Sequence, residues 1–230
     1  MFLLFLAARA YAQYLPLDSS VREEAKQAAI ARYHSDRGIA SAIFNGIQHF
    51  GYAASIQGHA YQGTDDWRKG SVVYEGILYT GLLLKYDLIA DQLLVQHPSG
   101  FGVALYSPRV QSFQMEDQEF IYLPQDSLRS FMPAGFYRWL AKGKLSVLER
   151  SSKWIDEYED GLKMSKRFLE SDQFFALKNG LYYPIKKKAD FFALVADQRK
   201  DVSRYMKQNK LNIKRSREQA LMQAAIFYNQ

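Results

Sequence analysis

Between Gly70 and Tyr122 six apolar runs follow one another with only a few turn residues between them. They are Ser71–Tyr74, Ile77–Leu88, Leu93–Val95, Val103–Tyr106, Val110–Met115 and Phe120–Tyr122. Glu75-Gly76 and His97-Pro98-Ser99-Gly100 supply turn signals. Parallel pairing needs crossovers of roughly a dozen residues or more, and these gaps are too short. The segment therefore reads as an antiparallel meander. The high aromatic content, 16 Tyr, 15 Phe and 3 Trp, suits pleated, half-buried surfaces of this kind.

Two further hairpins follow. Phe136 to Leu140 leads into Lys142-Gly143, and Leu145 to Leu148 leads out. Phe174 to Leu177 leads into Asn179-Gly180, and Leu181 to Tyr183 leads out. Asn-Gly between apolar runs is the stronger signal, because both turn positions need positive φ. Beyond residue 185 the period changes from two to 3.6. Helices are expected over Ala189–Val195, Asp197–Asn209 and Ser216–Tyr228, the last with Leu221, Ala224, Ala225 and Tyr228 on one side. Ser216 is its expected N-cap, with Gln219 completing a capping box. A helix over Val21–His34 is also expected, after cap candidates Asp18, Ser19 and Ser20. The fold class is α+β: an antiparallel β-meander, half-barrel or sandwich-like, with an N-terminal helix and a helical C-terminal segment.

The first dozen residues read as an address. Met1 to Ala8 is almost wholly apolar, and Ala10-Tyr11-Ala12 gives the small-x-small pattern of a secretory cleavage site before Gln13. The run is far shorter than the ~20 residues needed to span a bilayer. No basic residue precedes it, and Arg9 sits just before the motif; both depart from the usual pattern. The expected organisation is a signal peptide over 1–12, a helical segment over 13–41, a β-rich body over 42–185 and a basic helical segment over 186–230. Export implies a periplasmic or secreted protein of the cell envelope. The chain has no cysteine, which excludes disulfides, thiolate metal sites, a thiol nucleophile and a lipoprotein anchor.

Charge is unevenly spread. Residues 1–139 hold 11 Lys/Arg and 13 Asp/Glu, whereas residues 140–230 hold 19 and 11. Lys186, Lys187, Lys188, Arg199, Lys200, Lys214, Arg215 and Arg217 punctuate the last helices. They are candidates for an anionic membrane surface; the competing reading is a solvated lysine-rich face. Nucleic acid is not expected as a partner of an exported protein.

Motifs that carry chemistry are sparse. His34, His49, His59 and His97 share no metal-ligand spacing on one element. A site built from His49, His59, Asp65 and Asp66 across loops competes with ordinary hydrogen-bonded loop histidines. Asp65-Asp66-Trp67 would serve as acid and base only if both carboxylates reached one face; otherwise the aspartates shape a turn. Asp87 and Asp91 would hold a cation, or accept backbone bonds in a turn. The chain contains no Gly-x-Ser-x-Gly elbow, phosphate loop or dinucleotide fingerprint. No catalytic residue, metal ligand or cofactor is assigned.

Two stretches resemble a group of uncharacterised secreted proteins of Bacteroidetes-type bacteria. One is Trp67-Arg68-Lys69-Gly70-Ser71-Val72-Val73-Tyr74-Glu75-Gly76 with Leu84-Lys85-Tyr86-Asp87 and Asp91-Gln92-Leu93. The other is Asn179-Gly180-Leu181-Tyr182-Tyr183-Pro184-Ile185, followed by Lys200 and Tyr205 to Leu211. The resemblance covers most of residues 42–228. It implies export and a β-rich body with a helical C-terminal part, and it supplies no catalytic residue. The expected function is that of a non-enzymatic envelope protein binding an apolar ligand or an envelope partner. The alternatives are a carboxylate-dependent hydrolase using Asp65 or Asp66, and a peripheral protein docking by its basic helices.

Overall fold

Among the described residues every strand ladder is antiparallel, as the short connections require, and one isolated parallel bridge joins Gln57 to Arg167. The structure is a computed structural model that describes residues 43–126, 130–161 and 163–230. The expected N-terminal helix, and the cleavage residues Ala10, Ala12 and Gln13, lie outside the described residues. Eleven strands form one sheet: β1 (Ile47–His49), β2 (Arg68–Tyr74), β3 (Ile77–Asp87), β4 (Gln92–Gln96), β5 (Gly102–Ala104), β6 (Val110–Met115), β7 (Gln118–Leu123), β8 (Gly135–Ala141), β9 (Leu145–Asp160), β10 (Lys163–Lys178) and β11 (Leu181–Ile185). Their order is β1-β5-β4-β3-β2-β6-β7-β8-β9-β10-β11. Only β1 and β6 break the run of sequence neighbours. Three helices follow the last strand: α1 (Lys188–Leu194), α2 (Arg199–Gln208) and α3 (Arg217–Tyr228). The result is a mostly antiparallel, β-rich α+β fold.

The first half of the sheet coils tightly. Four strand intervals separate β3 from β8, which in a flat sheet is about 19 Å. Yet the rings of Tyr86 on β3 and Phe136 on β8 lie with centroids 5.5 Å apart. Tyr86 also meets Phe113 and Phe120 edge-on, each at 5.5 Å, and Phe113 stacks on Phe120 at 4.5 Å. These rings come from alternate positions of β3, β6, β7 and β8, so one face of each strand turns inward. The coil is tight enough for β9 to reach the far end of β3: the Lys153 N–H donates to the Leu88 carbonyl at 3.1 Å. Val72, Leu84, Leu93, Val95, Leu105, Val110 and Met115 fill the rest of this core.

The same face of β8, β9, β10 and β11 is covered differently. Leu140, Leu145, Val147, Phe174, Ala176 and Ile185 are buried under the three helices. Ala220, Ala224 and Ala225 are small enough to bring α3 close to the sheet, with Leu221 and Tyr228 beside them. The expected capping box is absent: Ser216 makes no side-chain cap bond. Its own N–H already donates to the Asn212 carbonyl at 2.9 Å, so Gln219 has no donor to reach for. On the opposite face, Tyr137, Leu148 and Phe175 pack with Met132, and the Tyr137 hydroxyl donates to the Pro133 carbonyl at 2.7 Å.

The Asn179-Gly180 turn forms as expected, with φ of 53° and 76°, and sets Lys178 opposite Leu181. The long β9–β10 hairpin is not anticipated from periodicity. Its outer part, residues 151–173, is charged on both faces, so no apolar alternation marks it. Backbone pairing nevertheless continues from Lys178↔Leu145 to Lys163↔Asp160.

Truncating a ring at the centre of the coil removes transfer energy and leaves a cavity. Phe113→Ala is expected to cost about 3–5 kcal/mol in denaturant-induced unfolding. Phe113→Leu should cost clearly less. Equal losses would show that the cluster does not hold the coil closed.

Candidate functional site

The sequence marks three places for chemistry; the structure brings His49 to Asp87 but leaves Asp65 and Asp66 on the surface. Asp65 and Asp66 are exposed in the turn before β2. Asp65 pairs with Lys85 at 2.7 Å, and Asp66 accepts from the Thr64 hydroxyl at 2.7 Å. They do not share a proton or a pocket. Trp67 is half-buried, with Lys85 Nζ 5.0 Å above its ring.

His49 and His59 flank one ring, that of Tyr61. His49 Nε2 lies 3.3 Å from the Tyr61 hydroxyl and 3.7 Å from Asp87. His59 Nδ1 accepts the Tyr61 N–H at 3.2 Å. Asp87 is fully buried and accepts from the Tyr52 hydroxyl at 2.9 Å and from the backbone N–H groups of Ile89 and Ala90 at 2.9 and 3.1 Å. Burial and the adjoining Asp87 carboxylate push the Tyr52 phenol well above its ordinary range. Of these donors, Tyr52 ties the segment before β2 to the end of β3, while the Ile89 and Ala90 amides close the turn after it. Asp91 is used elsewhere, by the Tyr86 hydroxyl at 2.6 Å and by Arg150 at 3.0 Å. Among the described residues, no three His, Asp or Glu side chains form a group that would hold a metal. His97 belongs to a turn, stacked on Phe101 at 4.5 Å.

One carboxylate that the sequence did not single out is Glu149. It is 2% exposed, at the seam between the coiled core and the helix-covered core. Arg138 grips it through Nε, at 2.7 Å, and Nη2. The same Nη2 meets Glu218 of α3 at 2.7 Å, tying the helix to the sheet. Burial outweighs the attraction of Arg138 and, with Glu218 and Asp172 nearby, lifts the Glu149 carboxyl from 4.5 to about 7.

The basic candidates gather where β11 meets the helices. Three open grooves adjoin one another there. The first, about 820 Å³, runs between β11 and α1, lined by Tyr183, Pro184, Ala193 and Leu194, with Lys178, Lys186 and Lys187 around it. The second, about 420 Å³, shares Pro184 and Lys186 with it and includes Arg217. The third, about 450 Å³, adds Arg215. Lys188 and Lys214 border a separate groove with Lys207. Arg199 and Lys188 both lie against the Phe192 ring, at 5.6 and 5.3 Å. Lys200 is exposed on α2 and lines none of these grooves.

Residues 186–230 carry eleven Lys/Arg against four Asp/Glu. The four acids are spent on structure. Asp190 accepts the N–H groups of Lys186 and Lys187, both at 2.9 Å, and the Lys187 and Lys186 amides hold its carboxyl below the usual range. Asp197 accepts from the Tyr228 hydroxyl at 3.0 Å and faces Lys178 at 3.6 Å. Glu218 pairs with Arg138 outside the segment. Only Asp201 pairs within it, with Arg204 at 3.1 Å. Comparison with known proteins found no matching family model, no similar curated protein and no similar solved structure.

Glu149 gives the fold a pH dependence of definite sign. Between about 4.5 and about 7 the native state keeps a proton that the unfolded chain releases. Stability attributable to this group is therefore highest at low pH and falls as pH rises through that window. Melting temperatures of Glu149→Gln measured across the window should lack this decline. An identical slope in the variant would refute the assignment.

Proposed function

We propose that the chain is a non-enzymatic protein of the cell envelope that docks peripherally on an anionic membrane surface through its basic C-terminal helices. The observation that carries this reading is the uncompensated charge beside β11. Lys186, Lys187 and Lys188 are exposed together, and the nearest acid in sequence, Asp190, is committed to backbone amides. Each basic residue near a charged membrane contributes roughly 1 kcal/mol, and a rigid scaffold presents them as one patch. The β10–β11 hairpin, with α1 packed against it, is that scaffold. The inward face of the coil formed by β2 to β8 is filled by its own aromatic rings, which argues against an apolar ligand held inside it. Export through a cleaved signal peptide, and hence a periplasmic or secreted location, is part of the same proposal.

A carboxylate-dependent hydrolase is the second reading. What favours it is Glu149, a carboxyl set near neutrality as a general acid requires. Asp65 and Asp66 are less suited, being exposed and engaged by Lys85 and Thr64. The burial of Glu149 and its bonds to Arg138 favour a fastening role over contact with a substrate.

Docking is tested by sedimentation with phosphatidylglycerol vesicles, using phosphatidylcholine vesicles as control. Binding should require the anionic lipid and weaken as salt is added. Lys186→Glu with Lys187→Glu and Lys188→Glu should lower affinity by two orders of magnitude or more, on roughly 1 kcal/mol per charge removed. Absence of binding at every salt concentration would end the proposal.

A further inference from the structure

β11 carries an apolar projection at its turn end and the lysine run at its other end, with Tyr183 between them. Leu181 is 61% exposed and Tyr183 36% exposed. Cross-strand register places Leu181 opposite Lys178 and Tyr183 opposite Ala176, so both side chains lie on the helix-covered face of β11. The Asn179-Gly180 turn, with both residues at positive φ, makes the tip of this hairpin short and rigid. Beside it, Ala193 and Leu194 of α1 continue the apolar surface along the first groove. Lys186, Lys187 and Lys188 follow within a few residues, all exposed.

From this we infer that Leu181 and Tyr183 form a wedge that enters the headgroup–acyl boundary of an anionic bilayer while Lys186, Lys187 and Lys188 meet the lipid phosphates. The inference rests on the docking reading above and adds the residues that penetrate. Tyrosine suits that depth, with an apolar ring and a polar hydroxyl. Lysines beside an apolar projection keep their ammonium groups at the phosphates while their stems lie along apolar surface.

The alternative occupant, an acidic peptide added as a further strand, is disfavoured by the edge itself. In a two-residue hairpin the flanking residues, Lys178 and Leu181, form the closing hydrogen-bonded pair. Alternation then turns the backbone of Tyr182 and Pro184 away from β10. Pro184 has no N–H, so the outward edge of β11 lacks a donor at that position. A bilayer makes no demand on backbone donors.

The experiment measures binding to phosphatidylglycerol vesicles as a function of salt for the full chain, Leu181→Ser, and the triple lysine reversal. Leu181 is exposed, so Leu181→Ser should melt with the parent protein. Its affinity is expected to fall about tenfold with the slope of log affinity against log salt unchanged, because no charge has been removed. The triple reversal should reduce that slope. In addition, Leu181→Trp should show a blue-shifted emission component quenched by brominated acyl chains. Parent-like affinity of Leu181→Ser together with no quenching in Leu181→Trp would overturn the wedge and leave electrostatic docking intact. Binding of the parent to polyglutamate but not to vesicles would overturn both.

Discussion

The aromatic contact between Tyr86, Phe113, Phe120 and Phe136 fixes the shape of everything around it. A single ladder of this many strands, left open, would expose a long apolar face to water. Coiling lets the face bury itself, at the cost of a gap where the coil does not close through strand pairing. Residues 57–62 bridge that gap through backbone bonds, Gln57 to Lys166 and Phe168 and Ala60 and Gln62 to Leu88 and Tyr86, and the Tyr52 hydroxyl adds a bond to Asp87. Where the coil ends, the same face continues beyond β8 and needs a different cover. The three helices supply it. Arg138, Glu149 and Glu218 occupy the seam between the two solutions, where a polar group must be paired if it is to be buried.

This division also explains where the charge accumulates. The helices turn Phe191, Val202, Met206, Leu221 and Ala224 to the sheet, so their basic residues point outward. Of the four acids among them, Asp190 works at a helix start, Asp197 and Glu218 against a tyrosine and an arginine of other elements, and Asp201 against Arg204 of its own helix. Net positive charge on that side is therefore a property of the folded arrangement as well as of the composition. The sequence count alone could not distinguish it from charges neutralised pair by pair.

Much of the sheet was legible because its signals are local. Asn179-Gly180 and Lys142-Gly143 mark turns through their own backbone preferences, and the runs from Ser71 to Tyr122 alternate visibly. The outer β9–β10 hairpin was not legible. Residues such as Asp156, Glu157, Lys166 and Arg167 are held by cross-strand partners, Lys166–Glu157 and Arg167–Asp156, rather than by one-sided burial. Opposite charges facing each other across a ladder leave no period-two trace in either strand. The candidate surface was readable as a list of basic residues. Its apolar centre was not, since Leu181 looks like any strand residue until the register shows which face it takes. Glu149 was invisible for a related reason: its partners lie on a neighbouring strand and a distant helix.

One bond joins parts of the chain made far apart. Asn229 accepts the Leu145 N–H at 2.9 Å and donates to the Leu145 carbonyl at 3.0 Å, sealing the turn at Gly143. A β-carbon on Gly143 would meet that same asparagine side chain at 2.4 Å. The β8–β9 turn thus acquires its final partner only after residue 229 has left the ribosome. Closure of that turn therefore waits on the docking of α3, whatever has already packed around it.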